Sequence, residues 1–357
     1  MPEPTATATP AVIDNDVSEI DCILKIHKTP FDQLPNPFRV WNTPPSSHAE
    51  GLGRLVILTP DIVKAAASYI RTGRRISLSW DMNKLEVANF SRQPAQHHIL
   101  PIMDGVAFDD LYIINPQQSS QWDGLRHFAA PFPTHENPSR RMFYGGVSAA
   151  EIMDRGSTRL GLQHWAKEGI CGRGVLLDYV EYAARHGIKY STFSDHSISL
   201  EVLKNIAREQ QTEFRFGDIL FIRMGVTREW DTQMTLDDKV AYGRTNEPQH
   251  AGVQGTKEML RWIWDTGFAA VASDAISFEV YPPKESYLRV DGNSSIKGVF
   301  MHEVLLAGWG LPIGELFDLE GLARICQLEK RWEFFVTSAP LNMPGGVSSP
   351  PNCIALF

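Results

Sequence analysis

The sequence predicts a mixed α/β fold in a single compact domain, and three observations support that prediction. Segments with helical periodicity alternate with short apolar runs rich in β-branched residues, which are typical of buried strands. No polar linker divides the chain between about residues 55 and 356, so one domain is favoured over two. A chain of 357 residues also buries enough apolar surface to fold without disulfides or a structural metal.

The first 54 residues are predicted to lie outside this regular pattern. Residues 1–18 are rich in proline, threonine and alanine, which bury too little apolar surface to order a chain, so we predict a disordered tail. Residues 19–54 contain five prolines and show little periodicity. They are predicted to form an irregular arm over the fold or over a second subunit. The regular domain is therefore expected to span residues 55–357.

The elements of this domain follow from capping residues and apolar periodicity. Thr59 and Ser199 have the chemistry of N-caps, Pro60 suits a first helical turn, and Gly267 suits a helix end. Helices are predicted over residues 59–72, 200–210, 256–265 and 299–307. Strands are predicted over residues 75–80, 106–114, 216–224, 268–273 and 332–336.

Composition and charge exclude several classes of function. The chain has 34 Lys and Arg against 42 Asp and Glu, a net charge of -8, which disfavours binding to nucleic acid or anionic lipid. Its four cysteines are scattered and predict neither a disulfide framework nor a thiolate zinc site. The start lacks the features of a signal peptide, and no stretch is apolar enough to span a bilayer. A cytoplasmic protein with a small-molecule substrate is therefore expected.

Residues 117–128, with the sequence QQSSQWDGLRHF, carry the most chemistry of any segment. They follow a predicted strand, and residues two or four positions apart in an extended segment project to the same side. Gln117, Gln121, Asp123 and His127 are therefore able to converge on one pocket. The alternative is that these polar groups are solvated at a strand end, where the aspartate caps a turn.

This segment resembles the signature H-x-G-T-H-x-D-x-P-x-H-F of the cyclase family, which includes bacterial kynurenine formamidase and isatin hydrolase. Here it reads Q-x-S-S-Q-x-D-x-L-x-H-F, with Gln117 and Gln121 at the positions of the family's metal-binding histidines. The stretches FGDILFIR (216–223) and AVASDAIS (270–277) resemble two further family motifs, and the similarity extends over residues 68–356. The glutamine-bearing form with WDGLRHF looks most like fungal members.

The resemblance implies a fold and a set of catalytic residues. The fold is a single compact domain with a mixed sheet of the swivelling β/β/α type. His127 stands at the family's general acid/base, and Asp123 at its metal-binding aspartate. His302 and Glu315 stand where the family places a later histidine and glutamate, so both are predicted to be catalytic. Without the resemblance, His302 would be interpreted as a core residue, and Glu315 as the start of a helix.

The glutamines leave the question of a metal open. A carboxamide oxygen suits Mg²⁺ or Mn²⁺ better than Zn²⁺, which imidazole binds strongly. One interpretation is a loosely held Mn²⁺, Mg²⁺ or Zn²⁺ with Gln117, Gln121 and Asp123 as ligands. The other is a site without a metal, in which the two glutamines bind the substrate. Trp122 and Phe128, which flank the motif, are predicted to contact a planar substrate.

The leading hypothesis is hydrolysis, or the reverse ring closure, at an amide, lactam, lactone or formamide carbonyl of a small aromatic or cyclic metabolite. A metal-free cyclase, dehydratase or isomerase of secondary metabolism would use the same pocket. A catalytically silent binding protein is the third hypothesis. The resemblance and the proline-rich arm also predict a homo-oligomer, either a dimer or a tetramer.

Overall fold

The computed structural model describes residues 15–87, 90, 92–284 and 300–357. The helices are α1 (Asn15–His27), α2 (His48–Leu52), α3 (Pro60–Ala67), α4 (Ala149–Met153), α5 (Gln163–Glu168), α6 (Tyr179–Arg185), α7 (Leu200–Gln210), α8 (Val226–Thr232), α9 (Leu236–Arg244), α10 (Lys257–Thr266) and α11 (Glu320–Glu329). A π-helix covers Glu303–Gly308. None of the described helices is long and apolar enough to cross a membrane.

The strands form one large sheet and three small ones. They are β1 (Arg75–Ser77), β2 (Gln96–Ile102), β3 (Ala107–Ile113), β4 (Gln121–Asp123), β5 (Ala130–Pro131), β6 (Arg141–Met142), β7 (Ile170–Asp178), β8 (Ser197–Ile198), β9 (Ile219–Arg223), β10 (Gly252–Val253), β11 (Ala270–Ser273), β12 (Ile313–Glu315), β13 (Glu333–Ser338), β14 (Ser348–Ser349) and β15 (Cys353–Leu356). The large sheet has the order β1-β15-β13-β7-β9-β11-β12-β4-β14. Its centre, β7-β9-β11-β12, is parallel, and its flanks are antiparallel. The predicted mixed α/β class is confirmed.

Apolar layers cover both faces of this sheet. Along β9, Leu220 and Ile222 pack into one buried cluster, whereas Ile219 and Phe221 pack into the other. Successive side chains of a strand point to opposite faces, so the two clusters lie on opposite sides of the sheet. Burial on both faces explains why the sequence of β9 is a continuous apolar run rather than an alternating pattern.

The capping residues begin helices where the sequence predicts them. The side chain of Thr59 accepts a hydrogen bond from the amide of Ile62, and that of Ser199 from the amide of Val202. Gly267 ends α10 with a left-handed φ of 79°. The helix after Thr59 ends at Ala67 rather than near residue 72, because the chain then turns to bond the terminal carbonyl of Phe357. The start of the helix predicted over 299–307 lies outside the described residues.

The arm prediction is wrong for residues 19–27, where the structure has the helix α1. Ile23 and His27 are four positions apart on one face of α1, and both are buried. Further along, the segment crosses the π-helix: the amide of Val40 donates to Gly308 O at 2.8 Å, and Trp41 Nε1 donates to Ala307 O at 2.8 Å. Residues 1–14 of the predicted tail lie outside the described residues, and the boundary at residue 55 stays a prediction.

The central strand β7 was not predicted from the sequence. Its sequence ICGRGVLLD contains two glycines, which are poor strand formers, and an arginine, which interrupts the apolar run. Tertiary contacts compensate for both. A Cβ on Gly174 would lie 2.2 Å from the Phe334 ring, and Arg173 forms a buried two-bond ion pair with Asp218.

Candidate active site

Strand register brings the first pair of predicted site residues together. β4 runs antiparallel to β12, and Gln121 lies directly opposite Glu315. Directly opposed side chains project to the same face of a sheet. Gln121 Nε2 accordingly donates a hydrogen bond to Glu315 Oε2 at 2.6 Å, although the two residues are 194 positions apart in the chain.

Gln117 completes a chain of amide hydrogen bonds. It lies in a short 3₁₀ turn, Pro116–Gln118, which begins with Asn115 accepting a hydrogen bond from the Gln117 amide. Gln117 Nε2 donates to Asp123 Oδ1, and Gln117 Oε1 accepts from Gln121 Nε2 at 3.3 Å. Both glutamines therefore use amide nitrogens to hold carboxylates. Gln117 Oε1 accepts one hydrogen bond, whereas Gln121 Oε1 is buried with no hydrogen-bond partner among the described residues. Metal binding by the two glutamines stays a prediction.

His302 joins the cluster from the helical turn that leads into the π-helix. Its Nδ1 lies 2.9 Å from both carboxylate oxygens of Glu279. Its Nε2 lies 3.0 Å from Glu315 Oε1 and 3.6 Å from Asp123 Oδ2. The structure thus brings His302 and Glu315 to the cluster of Gln121 and Asp123, as predicted from the sequence. A π-helix at this point agrees with the frequent occurrence of such segments at functional sites.

His127 lies between this cluster and the solvent. Its Nε2 is 3.7 Å from Asp123 Oδ2, and its ring centre is 6.4 Å from that of His302. The His127 side chain is 20% exposed, whereas Asp123 is fully buried. Of the predicted catalytic residues, His127 is therefore the one that a substrate and water reach most directly.

Trp122 does not contribute to this site. It lies between Gln121 and Asp123 on β4, so its side chain points to the opposite face of the sheet. There it is fully buried, donates from Nε1 to Ser338 Oγ at 3.0 Å and packs edge-to-face on Phe317. Its predicted role in substrate binding is wrong, because strand alternation directs it into the core.

A cavity of about 260 Å³ opens above the polar cluster. Its lining combines the polar residues with aromatic rings: Phe90, Arg92, Gln117, His127, Phe128, His250, Ile276, Ser277, Tyr281, Phe300, His302 and Glu315. Phe128 is here as predicted, with its ring centre 5.3 Å from His302 and 5.5 Å from Phe300. An engineered cavity of about 150 Å³ holds benzene, so this one is large enough for a substituted or bicyclic ring.

Three polar residues of the site were missed by the sequence analysis. Glu279 is a carboxylate within an apolar stretch, and its burial without a partner would be costly, which was an available signal. His250 is buried, with Nε2 2.8 Å from Ser277 Oγ and Nδ1 3.2 Å from the Tyr242 hydroxyl. Arg92 lies in an irregular segment, and no sequence feature distinguishes it from a surface arginine.

Burial and neighbouring charges shift the pKa values of the acidic residues in different directions. Burial, and then the charge of Asp123, raise the pKa of Glu315 to about 7. Burial also disfavours ionised Asp123, but His127 and His302 outweigh it and lower its pKa. The pKa of Glu279 is likewise lowered, because its contacts with His302 exceed the effect of burial. Asp123 and Glu279 are therefore ionised at neutral pH.

The two histidines near Asp123 also differ. Burial disfavours the charged form of His302, but the surrounding carboxylates, Glu279 first, raise its pKa well above the usual value. For His127, burial is the largest effect and lowers its pKa, although Asp123 opposes the shift. His127 is thus a neutral imidazole at neutral pH, which is the form that accepts a proton.

The arrangement of donor atoms fits a divalent cation. Asp123, His302 and Glu315 each place one ligand atom within 4.8 Å of the others. Asp123 Oδ2 is buried and has no hydrogen-bond partner among the described residues, which leaves it available to a ligand. Glu279 holds the far nitrogen of His302, the arrangement usual for a histidine that binds metal. A cation would displace the proton that the raised pKa of His302 otherwise keeps on this ring, because a metal-bound imidazole must be neutral.

The comparisons with known proteins agree with this architecture. A family model described as "Putative cyclase" matches residues 75–280. The chain is similar to a crystal structure described as a novel cyclase, at 28% identity and a TM-score of 0.70, over 87% of this chain and 97% of that one. No curated protein matches the sequence significantly.

Two isatin hydrolase structures have a similar fold at low sequence identity. Isatin hydrolase A from Labrenzia aggregata bound to benzyl benzoate has 13% identity and a TM-score of 0.53, over 83% of this chain and 97% of that one. Isatin hydrolase A from Ralstonia solanacearum has 12% identity and a TM-score of 0.52 over the same shares. The fold type expected from the sequence resemblance is therefore confirmed.

Proposed function

The chain belongs to the cyclase family, and from this premise we propose that it hydrolyses a carbon–nitrogen or carbon–oxygen bond at the carbonyl of a small aromatic or cyclic metabolite. Amides, lactams, lactones and formamides are the substrate classes, and ring closure is the reverse reaction. The observation that carries the proposal is the position of His127, a neutral, partly exposed base 3.7 Å from a fully buried carboxylate and facing an aromatic cavity.

His127 moves the proton in the proposed reaction. Its imidazole accepts a proton from a water molecule, whose oxygen bonds to the carbonyl carbon. The bond from that carbon to nitrogen or oxygen then breaks, and His127 returns the proton to the leaving atom. The products are a carboxylic acid and an amine or alcohol. A lowered pKa suits His127 to this work, because the imidazole is already in its basic form at neutral pH.

The remaining polar residues position the reacting groups. Gln117 binds one carboxylate oxygen of Asp123, and Gln121 binds one of Glu315. These bonds fix the direction of the second oxygen of each carboxylate. Glu279 fixes the ring of His302. A divalent cation held by Asp123, His302 and Glu315 would supply Lewis-acid polarisation of the carbonyl group. Fixed groups of this kind stabilise charge that develops on the carbonyl oxygen without having to reorganise.

The apolar wall supports a planar substrate. Phe128, Tyr281 and Phe300 line the cavity. The ring centre of Phe300 lies 5.5 Å from that of Phe128 and 6.2 Å from that of Tyr281. Such rings pack on aromatic or cyclic ligands and exclude water from the reacting carbonyl. The isatin hydrolases with the same fold act on a bicyclic lactam according to their name, which agrees in kind with this cavity.

A substrate screen tests the proposal. The purified protein is incubated with N-formylkynurenine, isatin and an aryl lactone, with and without added Mn²⁺ or Zn²⁺, and the carboxylic acid product is measured. We expect turnover in at least one class and stimulation by a divalent cation. Binding of these compounds without any turnover, with either metal present, would instead identify a silent binding protein and contradict the proposal.

A further inference from the structure

Arg92 is a cationic side chain in a cavity whose floor is acidic. It lines the cavity beside Phe90 and Gln117. Its Nη1 donates one hydrogen bond, to Gln117 O at 3.3 Å, and its Cζ lies 5.3 Å from the centre of the Phe90 ring. In the described parts of the chain, no carboxylate forms an ion pair with it. Most of its five N–H donors are therefore available to a ligand.

Other arginines of this chain show what a structural role looks like. Arg173 makes two hydrogen bonds to Asp218, and Arg159 makes two to Glu50. In both, the planar guanidinium pairs with a carboxylate through two parallel bonds, the geometry that this side chain favours. Arg92 presents the same fork to the cavity without a protein carboxylate opposite it.

We propose that Arg92 binds an anionic group of the substrate, so that the substrate is an aromatic or cyclic carbonyl compound that carries a carboxylate. This rests on the proposed hydrolysis and names its substrate class more narrowly. The aromatic wall takes the ring, His127 faces the reacting carbonyl, and Arg92 pairs with the carboxylate. The charge of Arg92 also acts on His250, another residue that lines the cavity. Burial is the largest cause of the lowered pKa of His250, and the charge of Arg92 is the second.

The experiment compares 2-formamidobenzoate with its methyl ester, which keeps the ring and the formamide group but carries no carboxylate charge. The wild type is expected to show a kcat/KM for the acid at least ~10-fold above that for the ester, the size expected for hydrogen bonds to a charged group. Arg92→Gln should remove this preference, with the loss for the acid appearing as a raised KM. Arg92→Lys should keep part of it, and Arg155→Gln, at an exposed arginine, should keep all of it.

Binding is measured separately from turnover, by calorimetry with 2-formamidobenzoate and a folded-state check by circular dichroism. Equal turnover of acid and ester by the wild type, or a preference that survives in folded Arg92→Gln, would overturn the anion site but not the hydrolysis. Binding that depends on Arg92 in a protein that hydrolyses neither probe would support the anion site and count against the proposed function. If the protein shows neither Arg92-dependent binding nor hydrolysis of these probes, the inference is overturned.

Discussion

The chemistry of single residues in this site depends on which atom of each side chain faces the cluster. Gln117 and Gln121 direct amide nitrogens at carboxylates, and His302 is held at Nδ1 by Glu279. His127 lies 3.7 Å from Asp123, beyond hydrogen-bond distance, and is more exposed than Asp123 or His302. In the proposed mechanism, these differences suit His127 to proton transfer and the glutamines and Glu279 to positioning.

Replacing His127 by alanine is the most direct test of proton transfer. We expect His127→Ala to lower kcat by about 10²-fold or more, because general acid/base groups contribute that much. The fold should persist, since the side chain is partly exposed. Turnover of the best substrate and thermal unfolding are measured for this variant and for His186→Ala at an exposed histidine. A folded His127→Ala protein with normal kcat would remove His127 from the mechanism.

The contact between Glu279 and His302 predicts an effect on cation binding. Glu279→Gln should lower Mn²⁺ affinity by about 10–100-fold, because it weakens the group that orients a metal-binding imidazole. Calorimetric titration measures this without any substrate. Glu168→Gln, at a surface glutamate, should bind Mn²⁺ as the wild type does. Unchanged affinity in Glu279→Gln would show that His302 is not a ligand.

Among the elements, the π-helix Glu303–Gly308 connects the N-terminal segment to the site. It follows His302 directly, and its last two residues accept hydrogen bonds from Trp41 and Val40. The close approach requires glycine at position 308. A change that displaces the N-terminal segment is therefore expected to disturb the position of His302.

Gly308→Ala tests that connection. The added Cβ would lie 2.3 Å from the carbonyl oxygen of Phe38, a backbone atom that moves only with its segment. We expect a loss of about 1–3 kcal/mol in the free energy of unfolding, the usual cost of overpacking, together with lower turnover. Urea unfolding and kinetics measure the two effects. Gly156→Ala meets only an exposed side chain and should change neither.

A second element-level prediction concerns the turn after β9. Asp274 accepts hydrogen bonds from the amides of Met224 at 2.6 Å and Gly225 at 2.7 Å, and burial raises its pKa to about 7. A carboxyl group with a raised pKa contributes stability that is complete below about pH 4, its unfolded pKa, and is lost as pH rises through about 7.

Asp274→Asn removes this titration. The stability advantage of the wild type over the variant should therefore shrink by about 2 kcal/mol between pH 5 and pH 8. Urea unfolding of both proteins at the two pH values measures the difference. A difference that is the same at both pH values would show that Asp274 titrates alike in the folded and unfolded chain.

The whole molecule incorporates its N-terminal segment into the core. Arg54 is fully buried, donates from Nε to Phe268 O at 2.7 Å and from Nη2 to Trp264 O at 3.0 Å, and its Cζ lies 4.1 Å from the centre of the Trp264 ring. Trp264 Nε1 in turn donates to Thr29 O at 2.8 Å. These contacts join residues 29 and 54 to the end of α10.

Arg54→Met should therefore destabilise the entire fold. Methionine keeps much of the volume but leaves the Phe268 and Trp264 carbonyls unpaired, at about 1–3 kcal/mol each. Chemical unfolding is compared with that of Arg71→Met, at an exposed arginine. Loss of stability in a single transition is expected. Equal stability of the two variants would mean that water satisfies both carbonyls.

The sequence by itself determined the features that depend on neighbouring residues. The caps at Thr59 and Ser199 and the end of α10 at Gly267 follow from local backbone chemistry. The α/β class follows from apolar periodicity. The polar motif was recognisable because Asp123 and His127 lie four positions apart, within one short segment.

Tertiary structure alone decided which side chains meet across long separations. The register of β4 against β12 paired Gln121 with Glu315. Because side chains alternate between the two faces along β4, Trp122 points into the core. Packing made a central strand of β7 despite its glycines, and left the β2–β3 hairpin outside the sheet. The physical reason is that propensity acts over a few residues, whereas burial and hydrogen bonding are satisfied by whichever partners the folded chain brings into contact.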